Sequence, residues 1–375
     1  MSEVRFRVCT PGAGRVGSRA RGRPRPQLEA SVSSASMVAN PEPDSAQDRR
    51  AALIAMKLGA LVREHAGEPS TLGGFGGGAG AMVGDTAWVL LDDRPADRLG
   101  AALAWAVKHG ATALHVLADR GTGQVARRAA GFTMRIDVSH VEGRALVAAI
   151  AEPLPEVLPA TDAHRAFRGD IEAGGAEVIE EHGVVSGEVR GLEVCRVVDD
   201  PETGSAQLQV GLGAHDREIF QMLHGDRPAV EALADVVSSV SAQRQPGRIG
   251  HPFNRLAAGR ALRATLVERP QLIGASAVWP TWPPLPRPNL RDELPCVALA
   301  DVDGVTTVVV CTTGVDLEVV PYAVDAIRAH GALAPGGCLI AAPARDVVDV
   351  QRKLAALVAA PTRFVPLEPV ALSAP

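Results

Sequence analysis

Two hydrophobic periods alternate along this chain, and the places where one gives way to the other divide it into elements. Over Ser45–His65, Leu53, Met56, Leu58, Leu61 and Val62 recur at helical spacing and predict a helix. From Ala87 the pattern becomes regular. The apolar run AWVLLDD reads as a buried strand and leads into LGAALAWAVKHG, a helix with Gly110 as its stop. ALHVLAD, GQVARRAAGF and MRIDVSHV then read as strand, helix and strand. A β-α-β-α-β succession of this kind predicts an α/β layer with parallel pairing.

Past a proline-rich linker at Pro153–Ala160, the middle of the chain reads differently. A polar helix is expected near Asp162–His182. The strands LEVCRVV and AQLQVGL follow, joined by DDPETGS, a turn-rich connection suited to a hairpin. In the second strand Leu208, Val210 and Leu212 alternate with polar or small residues, as in a half-buried strand. Helices are expected over Ala229–Gln243 and Asn254–Glu268. AVWPTWPPLPRPNL holds too many prolines for a strand or helix and is read as an extended strap over a hydrophobic face, with a PxxP ligand as the alternative.

The C-terminal part repeats the first pattern. After TVVVC come LEVVPYAVDAIRAHG, CLIAAPA, VVDVQRKLAALV and RFVPL. The central helices end alike, in Ala106-Val107-Lys108-His109-Gly110 and Ala326-Ile327-Arg328-Ala329-His330-Gly331. Leu317, Val320, Val324 and Ile327 form one apolar stripe, and Leu99, Leu103 and Ala106 its counterpart. The expected fold is α/β, with two βαβαβ units around a helical and hairpin middle region. A disordered basic extension is expected over residues 1–44, the first unit over 45–152, the middle region over 161–260 and the second unit over 261–375.

Composition narrows the function classes. Of 375 residues 46% are apolar and only 3% aromatic, so the cores rest on Ala, Val and Leu. Residues 1–36 hold seven arginines among Gly, Pro and Ser; a basic arm for nucleic acid or membrane is the alternative to a simple extension. Lysine occurs only at Lys57, Lys108 and Lys353. A net charge of −5 argues against a protein that coats nucleic acid, while leaving room for a local basic groove. Cys9, Cys195, Cys296, Cys311 and Cys338 form no CxxC pair, against a zinc cluster or a disulfide framework. No apolar run approaches the roughly 20 residues needed to span a bilayer, and no signal-peptide core is present near the N-terminus. A cytoplasmic protein with no membrane partner is the expectation.

Candidate chemistry is sparse. Gly74-Phe75-Gly76-Gly77-Gly78-Ala79 matches GxGxxA, but it follows a helix and precedes a strand, the reverse of a dinucleotide turn, and is read as a flexible loop. His215-Asp216 and His224-Gly225-Asp226 offer metal-ligand types, with an N-capping Asp216 as the plainer reading. Asp92-Asp93-Arg94 follows a strand, either as a simple acidic turn or as an imitation of E-x-K. There is no Gly-x-Ser-x-Gly elbow.

Leu266-Val267-Glu268-Arg269-Pro270-Gln271-Leu272-Ile273-Gly274, the strand closing on Asp303-Gly304, the Val-rich strand after it and the helix with Tyr322 together resemble the PD-(D/E)XK restriction-endonuclease-like superfamily. The likeness is to the catalytic domain of archaeal and actinobacterial mismatch endonucleases and covers about 100 residues, of which only the first phrase is fairly specific. It implies two restriction-endonuclease-like units. In that family an Asp and an E-x-K hold Mg²⁺ and orient water. Counting from Gly304 sets those positions at Cys296, Val310 and Thr312, none of them able to act, and no lysine lies on a predicted strand. The resemblance therefore implies a non-catalytic nuclease-fold protein, without cofactor, that binds nucleic acid or a protein partner. One alternative is a divergent Mg²⁺-dependent DNA endonuclease using Glu268, Asp301 and Asp303, against which Asp303-Gly304 reads as a hairpin turn. The other is a small-molecule or nucleotide-binding α/β protein.

Overall fold

Helix α1 (Ala46–His65) turns Leu58, Leu61 and Val62 onto a sheet and leaves Leu53 and Met56 in solvent. The computed structural model describes residues 46–214, 216–219, 227–245, 252–287 and 294–368, so the basic N-terminal extension lies outside the described residues. The sheet under α1 comprises β1 (Thr71–Phe75), β2 (Gly78–Val83), β3 (Thr86–Leu91), β4 (Ala113–Ala118), β5 (Arg135–Glu142) and β6 (Ala145–Ala148), in that spatial order. Strands β3, β4 and β5 are parallel, joined through α2 (Leu99–Lys108) and α3 (Thr122–Ala129), as the periodicity predicts. The glycine run corrects the expectation of a loop, because it forms the antiparallel hairpin β1–β2. Its glycines serve close packing. A Cβ on Gly80 would lie 2.5 Å from the Trp105 ring, and one on Gly78 2.4 Å from the Leu90 carbonyl oxygen.

The middle region also departs from expectation. Helices α4 (Asp162–Arg165) and α5 (Arg168–Ala173) are short and stop at Gly174-Gly175, where Gly175 takes φ 84°. The polar stretch after them is strand β7 (Glu177–Glu181), not the end of a long helix. With β8 (Val184–Val189), β9 (Leu192–Asp199) and β10 (Ala206–Val210) it makes a four-stranded antiparallel sheet. Helix α6 (Ala229–Gln243) packs Leu233 and Val240 on the core of that sheet.

The second unit starts with α7 (Ala258–Glu268), so the expected boundary at residue 261 falls inside a helix. It continues through β11 (Ala277–Thr281), β12 (Cys296–Val302), β13 (Val305–Cys311), α8 (Val319–His330), β14 (Cys338–Pro343), α9 (Asp349–Ala355) and β15 (Thr362–Leu367). Residues 277–281 of the proline-rich strap are a strand after all. Pro280 is tolerated because β11 is the edge of its sheet, where a missing N–H breaks no ladder. Asp303 (φ 53°) and Gly304 (φ 79°) form the two-residue turn between β12 and β13, a conformation that suits this pair. Each unit thus contains α-β-β-β-α-β-α-β, with the third of its antiparallel strands also the first of three parallel ones, a longer repeat than βαβαβ; the first unit adds β6 at the far edge.

The two units share one core. Leu99, Leu103 and Val125 of the first pack with Val320, Val324 and Leu354 of the second. The chain leaving α3 pairs with the chain leaving α9: Thr133 N donates to Leu357 O at 2.7 Å, and Ala359 N to Gly131 O at 2.8 Å. This reciprocity is what a local two-fold between similar units produces. At the same seam Glu318 accepts from the amides of Gly100 and Ala101, both at 3.0 Å, and so caps α2 from across the interface. Burial pushes its carboxyl up to about 7 in spite of those two bonds. Asp325 of α8 is fully buried between Arg127 and Arg128 of α3. No helix among the described residues is long and apolar enough to cross a membrane.

Candidate functional site

In the second unit the strand register decides what the resemblance can mean. Cys296 stands opposite Cys311 and Val297 opposite Val310. Successive residues of a strand face opposite sides. Cys296 and Cys311 therefore face α7, among Ala298 and Leu266, while Val310 faces the other way, among Val297 and Val320. The positions Cys296, Val310 and Thr312 share no pocket, and the register that placed the family's ligands on them is corrected. The alternative set does not converge either. Glu268 is half-exposed and pairs with Arg190; Asp301 lies opposite Thr306, on the side of Val297 and Leu299; Asp303 is in the turn. Among the described residues no three His, Cys, Asp or Glu side chains gather to hold a metal ion.

The face where Cys296 lies is closed by charge. Arg260 and Arg263 of α7 meet carboxylates from the middle sheet. Arg260 pairs with both Glu181 and Glu188, and Arg263 reaches Glu181 at 3.3 Å and Glu188 at 3.4 Å. Arg287 from the strap approaches Glu193 at 3.5 Å, and Arg217 reaches it at 2.9 Å. Every carboxylate and guanidinium in this cluster has partners, which is the condition for burying such groups at all. Burial pushes the Cys195 and Cys338 thiols up to about 12, leaving both inert as nucleophiles.

At the ends of β3 and β4 in the first unit Asp92 and Asp119 are paired with α1. Asp92 is held below the usual carboxylate range, first by its hydrogen bond from Arg50; Asp119 lies 2.7 Å from Lys57 and Asp93 3.5 Å from Arg120. Arg94, the stand-in for an E-x-K lysine, is exposed. His215, His224 and Asp226 lie outside the described residues, and Asp216 accepts from Leu212 N at 2.6 Å, bracing the turn before it.

The open site is elsewhere, on the α1 face of the first sheet. Helix α1 lies mainly over β1 and β2 and leaves part of β3, β4 and β5 bare. There the parallel register lines up Trp88, His115 and Asp137 in one row, with Ser139 one step further along β5. They line a cavity of about 810 Å³. His115 Nε2 lies 2.9 Å from Ser139 Oγ, and the His115 ring sits 4.1 Å from Trp88, centroid to centroid, at 40°. At the rim Arg135 and Asp137 pair at 2.9 Å. Burial holds the His115 imidazole below its ordinary pKa, with Asp137 pulling the other way. A Ser–His pair suggests nucleophilic catalysis, but Ser139 is in mid-strand. β5 is paired on both sides, so its amides belong to the ladder and build no oxyanion hole. What the row can do is stack a ring and exchange hydrogen bonds. Its signal in the sequence was the polar residue at every second position of apolar strands, His115 in ALHVLA and Asp137 and Ser139 in RIDVSHV; only the register across three strands unites them. No protein-family model, curated protein or solved structure matches the chain.

Proposed function

We propose that the chain is a non-catalytic binding protein whose first unit takes a flat, hydrogen-bonding heterocycle of nucleobase type, the second unit and middle sheet acting as scaffold. The observation that carries this reading is the row Trp88–His115–Asp137 with Ser139 beside it in the open cavity. The face of Trp88 offers stacking, and His115, Ser139 and Asp137 offer donors and acceptors to a ring edge. A long nucleic acid fits less well, because Arg135, the one Arg or Lys of that lining, is already paired with Asp137.

Titration with free bases and nucleosides, read by tryptophan fluorescence, tests this. Base–aromatic stacking contributes about 1–3 kcal/mol. Saturable quenching is expected in the native chain, with at least tenfold weaker binding in Trp88→Leu and in His115→Ala. A native chain indifferent to every base and nucleoside, or a Trp88→Leu variant that binds as well, would overturn the proposal.

The histidine gives a second handle. Its folded pKa lies below the ordinary 6.5, so on acidification the unfolded chain takes up its proton first. Stability should fall as pH drops through 6.5 and level off below the folded pKa. His330, depressed chiefly by burial too, acts in the same direction. Glu318, whose carboxyl burial pushes up to about 7, acts in the opposite direction over the same range, so the test is the difference between two chains. From pH 7 to 5 the melting temperature of the native chain is expected to lose ground to that of His115→Gln, and equal pH profiles would show that His115 does not titrate in this way.

A further inference from the structure

A second groove lies on the far side of the first unit, between the glycine-rich strand β1 and helices α2 and α9. It measures about 910 Å³ and is lined by Gly74, Phe75, Trp105, Lys108, His109 and Lys353, among others, with no acidic residue. Two of the chain's three lysines are here. Lys57 is taken up by Asp119, whereas Lys108 and Lys353 are exposed and form no ion pair with any described residue. Strand β1 is the edge of its sheet, and no described strand pairs with its outer side.

The second unit shows what this fold puts in the equivalent place. There the edge strand is β11 and the helix is α8, which ends in His330 as α2 ends beside His109. The chain's own Trp-Pro strap leaves β11 and covers that helix end. Trp282 O lies 3.0 Å from His330 Nε2, their rings are 4.7 Å apart, and His330 is fully buried. In the first unit a short turn joins β1 directly to β2, so no strap exists. His109 there stacks on Trp105 at 3.9 Å and borders the open groove.

We propose that this groove is a docking site for an extended, proline-containing acidic segment of a partner protein, which takes the place that the Trp-Pro strap occupies in the second unit. The main chain of the segment runs along the free edge of β1, its apolar residues lie against Phe75 and Leu317, and its carboxylates meet Lys108 and Lys353. This site is separate from the Trp88 cleft, and the two proposals stand or fall independently.

The probe is a labelled peptide, AVWPTWPPLP with two glutamates at each end, titrated into the full chain by fluorescence anisotropy. Saturable binding is expected, at least tenfold weaker for the same peptide flanked by lysines and for Lys108→Glu/Lys353→Glu. Both lysines are exposed, so the double variant is expected to keep its fold, checked by its melting temperature. Hydrogen exchange should show protection gained at Thr71–Phe75 on binding. Absence of binding, equal affinity for the lysine-flanked peptide, or protection confined to another surface would each overturn the proposal.

Discussion

Asp325→Ala is expected to cost the fold about 3–5 kcal/mol, the range for removing one partner from a buried ion pair. Asp325 is fully buried, and Arg127 and Arg128 beside it are 1% and 3% exposed. Its carboxylate receives Arg127 Nε at 2.9 Å, Arg127 Nη2 at 3.3 Å and Arg128 Nε at 2.7 Å. After the substitution Arg127 keeps Pro153 O at 3.0 Å and the half-exposed Glu152, and Arg128 keeps Ala96 O at 2.5 Å. Two guanidiniums would then share one desolvated seam without the anion between them. The arginines come from α3 and the aspartate from α8, so the loss falls on the joint between the repeated units. Urea denaturation should show a lower midpoint with an unchanged slope. Replacing all three together (Asp325→Leu, Arg127→Met, Arg128→Met) should recover most of the loss, because no charge is then left unpaired. A cost below about 1 kcal/mol for Asp325→Ala would mean that water or neighbouring groups already neutralise the arginines.

Why this joint was only half legible follows from how each signal arises. The apolar stripes of α2 and α8 and their shared His-Gly endings are local and could be read directly; Leu99, Leu103, Val320 and Val324 do meet in one core. The Asp303-Gly304 turn was readable for the same reason, since that dipeptide suits positive φ at successive positions. Asp325 gave no sign, because its partners lie 197 and 198 residues away.

Other elements were hidden by composition. β1 and β2 are rich in glycine, which has low strand propensity, yet the packing of Trp105 on Gly80 demands the missing Cβ. β7 reads as polar because its paired glutamates meet arginines rather than solvent, Glu181 those of α7 and Glu180 Arg165 and Arg168, so the hydrophobic pattern was inverted there. The open cleft was missed for a third reason. His115, Asp137 and Ser139 are unremarkable one at a time, and become a site only through the parallel register of β4 and β5. The acidic positions singled out in the sequence, Glu268, Asp301 and Asp303, were conspicuous for the opposite reason. Glu268 ends a helix and Asp303 sits in a turn, where charge is left on view, while Asp301 stands out only as an acid within an otherwise apolar strand.

The inverted face of the middle sheet makes Glu188→Ala the second large effect, again about 3–5 kcal/mol. Glu177, Glu188 and Glu193 stand abreast on β7, β8 and β9, a row of like charges that would repel if left alone. Arg260 and Arg263 of the second unit make the row tolerable, and Glu188 is the member that both of them contact. Burial by itself would lower the Arg260 pKa, but Glu188 and Glu181 outweigh it and hold the guanidinium above its ordinary value. Glu177, pushed up by burial with Glu188 adding to it, should ionise more easily once Glu188 is gone. Removing Glu188 leaves Arg260 with Glu181, and Arg263 with Glu181 and the carbonyl of Val297 at 3.3 Å. One carboxylate would then have to serve two buried cations. The damage should be regional where that of Asp325→Ala is central: hydrogen exchange is expected to quicken first across β7–β9 and α7, while the cores of β3, β4 and α2 stay protected. Glu188→Gln keeps the volume and one acceptor, so its loss should be smaller. If Glu188→Ala were to leave exchange in β7–β9 unchanged, the middle sheet would be held by its apolar face on α6 alone, and the charged face would be a consequence of the docking rather than its cause.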